Sequence, residues 1–286
     1  MTATATPHLL RELIERRPPL GSQLYWLLDQ SALPQGGWLA RQIGGVEWLD
    51  LLSGKFETRM NGASPIIVTA SDADSRRAAH LADELYRAGR QANAIGLIAT
   101  PMSISDLQAE LCQRARIELP GNLEAVLRYF DTRTLPLLPR LLTAEQYADF
   151  IEGIDEWSYL DRRGAAQRLP SATAPVTTKT RVQRRLQLDD AQEAMLIDDG
   201  LTDAVIDLLI TQSHPALLEL TPPAQFDLIE PWVQSARGFD LREPVEALAF
   251  VGKALAEGVG FSQSEPWRGK LSAYRQKRCS IDEAFA

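Results

Sequence analysis

Pro65-Ile-Ile-Val-Thr69 and Ala94-Ile-Gly-Leu-Ile-Ala99 are two short, almost unbroken apolar runs, and between them Asp74 to Arg90 carries Ala78, Leu81, Leu85 and Ala88 on one helical face. Runs of this length bounded by turn residues are how buried strands read. Strand, helix and strand in succession predict an α/β lobe, a mixed sheet with flanking helices. Leu24-Tyr-Trp-Leu-Leu28 and Glu124-Ala-Val-Leu-Arg-Tyr-Phe130 have the same character and add two predicted strands. Ser103 with Asp106, and Thr143 with Gln146, have capping-box spacing and predict helices running through Leu111 and Phe150.

Beyond Leu186 the pattern becomes helical. Asp189 to Ile197, Leu201 to Ser213, Pro222 to Ala236, Leu241 to Glu257 and Pro266 to Arg278 each have helix length and a start or stop signal. Asp240 and Glu243 read as a cap and its third-position partner, Pro222 and Pro266 suit first-turn positions, and Pro231 is expected to kink or split its helix because it lacks a donor. Between the two regions lies a stretch poor in large apolar residues, Arg162 to Arg185, with a glycine, two prolines and several Ser/Thr, which reads as a linker. The expected organisation is an α/β lobe over residues 1–161, a basic linker over 162–185 and an all-α lobe over 186–286.

Charge follows the same division. Residues 1–161 carry 15 basic and 21 acidic side chains, 162–185 carry 7 and none, and 186–286 carry 8 and 17, giving −6, +7 and −9 within a total of −8. A basic stretch without interleaved aromatics, between two acidic blocks, argues against a nucleic-acid partner. With 45% hydrophobic and 24% charged residues the composition is that of a globular chain. No apolar run approaches the roughly 20 residues of a membrane-spanning helix, and Met1 to Pro7 lack the features of a signal peptide, so a cytoplasmic protein with no membrane partner is expected. Cys112 and Cys279, the only cysteines, belong to no C-x-x-C and suggest neither a disulfide framework nor a metal site.

Catalytic motifs are scarce. G-x-G-x-x-G, G-x-S-x-G and H-E-x-x-H are absent, and His8, His80 and His214 fall on separate predicted elements, with His214 before Pro215 reading as a helix end. Asp72-Ala-Asp74 resembles a carboxylate pair that could share a divalent cation, which would make the chain a metal-dependent transferase; placed just before a helix, the same acids read more simply as caps. The expectation is a protein without catalytic site, metal or cofactor. Asp199, Asp203 and Asp207 recur every four residues, a row of like charges that costs an isolated helix about 0.2–0.5 kcal/mol per pair. Arg181, Arg184 and Arg185, or a basic surface on another protein, are candidates to relieve it. Trp232 and Trp267 fall at spacings that suit either core stripes or the aromatic anchors of an interface. These eight residues form the candidate partner-binding set.

Arg128-Tyr-Phe-Asp-Thr-Arg133 closes the last predicted strand. Strand alternation would send Arg128 and Phe130 to one face and Tyr129 to the other, with Asp131 ending the strand and accepting from backbone or from Arg133. These residues resemble the R-F-Y-D-P-R signature of the type VI secretion effector chaperones, the adaptor family called Tap or TEC. Leu24-Tyr-Trp-Leu-Leu-Asp29 is similar to that family's L-Y-x-L-L-D opening, Ser64-Pro-Ile-Ile-Val68 to its following strand, and Leu135-Pro-Leu-Leu-Pro139, Leu142-Thr143 and Phe150 to the segment after the signature. Ala236-Arg-Gly-Phe239, Phe250-Val251 and Gly258-Val-Gly-Phe261 resemble its helical tail. Thr132 departs from the signature's proline, Tyr129-Phe130 inverts its aromatic order, and the tryptophan and glycine before the third strand appear here only as Ala94-Ile-Gly96. The resemblance implies a non-catalytic adaptor that binds a secreted toxic effector and helps load it onto the VgrG spike, with Arg128, Tyr129, Phe130, Asp131 and Arg133 in a structural role.

Overall fold

The computed structural model describes residues 19–33, 43–52, 64–70, 81–85, 87, 93–172, 185–258 and 260–285. The chain divides into two compact units, Met1–Glu193 and Ala194–Ala286. The first is an α/β lobe and the second is all helix.

In the first unit, β1 (Gln23–Leu28), β2 (Trp48–Asp50), β3 (Ile66–Thr69), β4 (Ile95–Thr100), β7 (Glu156–Leu160) and β8 (Ala166–Arg168) form a six-stranded sheet in the order β2-β3-β1-β4-β7-β8, with the pairings antiparallel. A smaller sheet, β6-β5-β9, combines an antiparallel pair, β5 (Arg116–Leu119) with β6 (Leu123–Val126), and a parallel one, β5 with β9 (Leu186–Gln187). Helix α1 (Ile104–Arg114), the short α2 (Leu138–Leu141) and α3 (Ala144–Phe150) flank them.

The central strands read as continuous apolar runs because the large sheet is covered on both faces. Leu24, Trp26 and Leu28 share one core with Ile66, Val68, Ile95, Leu97 and Leu160, and with Leu81, Ala82 and Leu85 of the helical stretch 81–85. The alternate residues face an aromatic cluster in which Tyr129 meets Phe130, Phe150 and Trp157 edge-on at ring separations of 5.5–5.8 Å. Gly96 lies opposite Leu27 and Tyr159, and a Cβ there would sit 3.3 Å from the Trp157 indole nitrogen, so glycine lets the indole lie on the sheet.

Several expectations are corrected. The predicted strand 124–130 stops at Val126, and Arg128–Arg133 form turns with both Tyr129 and Phe130 buried, so alternation does not govern them. The proposed linker begins as structure of the first unit: Asp161 accepts from the backbone of Arg163 and Ala165 and from Gln167 Nε2, closing a β7–β8 hairpin, and Leu169 is buried behind it. Residues 173–184 lie outside the described residues. The region after Leu186 is not purely helical, since Leu186–Gln187 is strand β9.

In the helical part, the two helices expected at 189–213 are one, α4 (Asp190–Thr211), running through Gly200. Helix α5 (Pro222–Gly238) starts on Pro222 as expected but continues across Pro231 without a break. Helix α6 (Pro244–Glu257) is capped by a box between Glu243 and Glu246, not by Asp240, which adopts a left-handed turn. Trp267–Arg275 and Ile281–Phe285 are α7 and α8. Leu201, Val205, Ile229, Val233, Phe250 and Val251 form the heart of this unit's core. The box expected at Thr143–Gln146 is formed, while Ser103 caps its helix through its hydroxyl alone, accepting from the Asp106 amide and donating to the Asp106 carboxylate.

Candidate functional site

The signature is a clasp at the point where four segments of the first unit meet. Arg128 lies half-exposed across the Phe130 ring, 5.4 Å from its centroid, and donates to Asp29 Oδ2 at 3.0 Å. Asp29 is buried at the end of β1, and its other oxygen accepts from the Ser31 amide (3.0 Å) and hydroxyl (2.6 Å), capping the 3₁₀ turn Gln30–Ala32. One carboxylate thus satisfies a local turn and holds a guanidinium that is distant in sequence, which is what makes its burial tolerable.

Asp131 is clasped from the other side. Arg133 Nε contacts both carboxylate oxygens at 2.9 and 3.0 Å, its NH2 nitrogen donates at 2.5 Å, and its backbone amide donates at 3.1 Å. The next residue, Thr132, donates its amide to the Asn93 carbonyl at 2.9 Å and its hydroxyl to the Leu160 carbonyl at 2.6 Å. Tyr129 donates its hydroxyl to the Leu111 carbonyl of α1 at 2.5 Å, and burial pushes its phenol well above the ordinary tyrosine range, so it stays a donor. The clasp therefore ties together the end of β1, the lead into β4, the end of β7 and the end of α1. Its chemistry is that of positioning: carboxylates facing guanidinium groups and amides.

Sequence reading anticipated the Asp131–Arg133 pair. It missed the Arg128–Asp29 pair, though Asp29 ends the Leu24–Asp29 motif, and the two bonds of Thr132. Proline at that position has neither an amide hydrogen nor a hydroxyl, so this departure from the resembled signature adds both bonds.

Of the candidate partner-binding residues the structure describes Arg185 in the first unit and Asp199, Asp203, Asp207, Trp232 and Trp267 in the second. Arg181 and Arg184, and likewise Asp72, Asp74, His8 and His80, lie outside the described residues. Arg185 pairs with Glu124 of β6, which Arg116 also approaches at 3.6 Å, and these cations hold the Glu124 carboxyl below its usual range. In the helical unit, Asp199 and Asp203 are half-buried and Asp207 is exposed on α4. Trp267 belongs to the core, donating its indole N–H to Glu257 at 2.7 Å with Lys253 and Lys270 about 5 Å from its ring centre. Trp232 is half-buried against the same core. Both tryptophans thus occupy the core-stripe alternative. His214 Nδ1 accepts from the Ala216 amide at 3.3 Å beyond the end of α4, as its position before proline suggested.

Among the described residues no group of three or more His, Cys, Asp and Glu side chains is placed to hold a metal ion. No helix among them is long and apolar enough to cross a membrane. Residues 24–149 match the family model described as a domain of unknown function, DUF4123. That segment contains all of β1 but Gln23, the Asp29 cap and the clasp except for Leu160 at the end of β7. No curated protein and no solved structure matches the chain.

Proposed function

We propose that this chain is a non-catalytic adaptor of type VI secretion, which binds a cognate toxic effector in the cytoplasm and helps load it onto the VgrG spike. The observation that carries this reading is the family-model match over residues 24–149, which encloses the Arg128–Arg133 signature. The geometry is in keeping with it: the signature's acids and hydroxyls serve to fix the fold of the first unit, as a protein-binding scaffold requires.

Co-expression with the toxin encoded beside this gene tests the reading. The two proteins are expected to co-purify, and deleting this gene should abolish export of that toxin while leaving secretion of the spike intact. Failure to co-purify together with undiminished export would end the proposal.

A further inference from the structure

Beside the last strand of the large sheet lies a cavity of about 270 Å³. Ile154, Leu169 and Pro170 give it an apolar wall. Among the described residues its charged lining is unequal: Glu152, Asp155 and Glu156 against one cation, Arg168. Arg168 pairs with Glu156 at 2.7 Å and Asp155 accepts from Ser22. Among the described residues the bonds of Glu152 are made by its main chain, the amide donating to the Asp149 carbonyl and the carbonyl accepting from Arg114, and none by its carboxylate.

Arg168 is also the end of an open sheet edge. Strand β8 is outermost in its sheet. The Leu169 amide donates to Trp157 and the Asp161 amide to the Ala165 carbonyl, so the odd-numbered residues of β8 face β7. Antiparallel alternation then turns the N–H and C=O groups of Ala166 and Arg168 outward, and among the described residues nothing bonds to them. The edge ends at Pro170, whose carbonyl is taken by the Tyr147 hydroxyl at 2.6 Å.

An unpaired edge next to a net-acidic cavity with an apolar wall suits one occupant. We infer that β8 docks an extended peptide segment of a partner protein, by strand addition at Ala166 and Arg168, with a lysine or arginine side chain of that segment entering the cavity toward Glu152. The apolar wall takes the aliphatic stem of such a side chain and the carboxylates take its head. This inference rests on the reading of the chain as an adaptor, and names where and by what chemistry it takes hold of its partner.

The test uses the full chain and a fluorescent acetyl-Thr-Val-Thr-Lys-Thr-Val-Thr-amide peptide. Saturable binding is expected, with slowed hydrogen exchange at the amides of Ala166 and Arg168. Glu152→Gln should weaken binding about 5-fold, the size of one partly exposed charge pair. Arg168→Pro is the sharper variant. It removes the cation from the cavity, which on charge alone would tighten binding, but it also removes the outward N–H, so strand addition requires binding to be lost. The mutated N–H is not one that pairs with β7, so the hairpin keeps its ladder.

Three results would overturn the inference: no saturable binding; binding that survives Arg168→Pro; or binding that appears only after Lys179, Arg181 and Arg184 are changed to Gln, which would mean that the chain fills its own cavity. Any of these, with the toxin still co-purifying, removes this docking site and leaves the adaptor reading standing. Loss of co-purification by the wild-type chain removes the adaptor reading instead.

Discussion

Thr132 stands where the resembled signature has proline, and it uses both groups that proline lacks. Its hydroxyl bond to the Leu160 carbonyl is buried, where an unmade bond costs the desolvation of whichever partner is left. Thr132→Val keeps the shape and removes the donor, so it should destabilise the chain by about 1–2 kcal/mol, read as a lower urea midpoint at unchanged slope. Tyr274 gives a residue-level dependence on pH in the helical unit. Its phenol is pushed up to about 12, first by its hydrogen bond to Glu246 and then by burial, against an ordinary value of 10.0. The folded state thus holds this proton more tightly than the unfolded one. The corresponding stability is fully present below pH 10 and disappears as pH climbs to about 12. Denaturation measured across that window should show a fall that Tyr274→Phe reduces; Tyr147, also pushed up to about 12 by burial, supplies part of what remains.

At the scale of elements, α4 shows what local signals can and cannot say. Asp198-Asp199-Gly200 reads as a break, yet the helix runs from Asp190 to Thr211: a single glycine costs a helix only about 0.5–1 kcal/mol, and the turns that follow it are anchored by buried Leu201, Val205, Ile206 and Leu209. A Cβ at Gly200 would meet nothing within 4 Å. Gly200→Ala should therefore stabilise the protein by about 0.5–1 kcal/mol, checked by chemical denaturation. The strands of the central sheet were legible because burial on both faces leaves an uninterrupted apolar run, as in Ile95–Thr100. Strands β2, β5 and β8 were not: they are three or four residues long and place Asp50, Arg116, Glu118 or Arg168 on their exposed sides. Strand β7 alternates Trp157 and Tyr159 with Ser158 and Leu160, but beside Asp155 and Asp161 its short run was overlooked. The clasp was half legible for a different reason. Asp131 and Arg133 are two residues apart and their pairing is local, whereas Arg128 and Asp29 are 99 apart and meet only because the sheet brings β1 to the signature. The cavity beside β8 left no signal, since its lining joins residues 148–157 to residues 168–172, and the second stretch lies in sequence that reads as linker.

For the whole molecule, the clasp and the β8 edge assign different jobs to different parts of one unit, and the two can be separated by measuring fold and capture side by side. The clasp acts through stability. Asp29→Ala removes the cap of Gln30–Ala32 and the partner of Arg128 together, and each loss is of order 1 kcal/mol. In a marginally stable chain, that lowers the folded fraction and the amount of co-purified effector in parallel, and cooling should restore both. The β8 edge acts through binding. Glu152 contributes its side chain to no bond among the described residues, so Glu152→Gln should leave the denaturation midpoint within about 0.5 kcal/mol of wild type. Effector capture should nonetheless fall, most clearly at low salt, where the charge of the cavity is least screened. Unequal loss of capture between these two variants at matched folded fraction, measured by pull-down against a calibrated denaturation curve, is the expected result; equal capture per folded molecule in both would place the docking surface elsewhere on the chain.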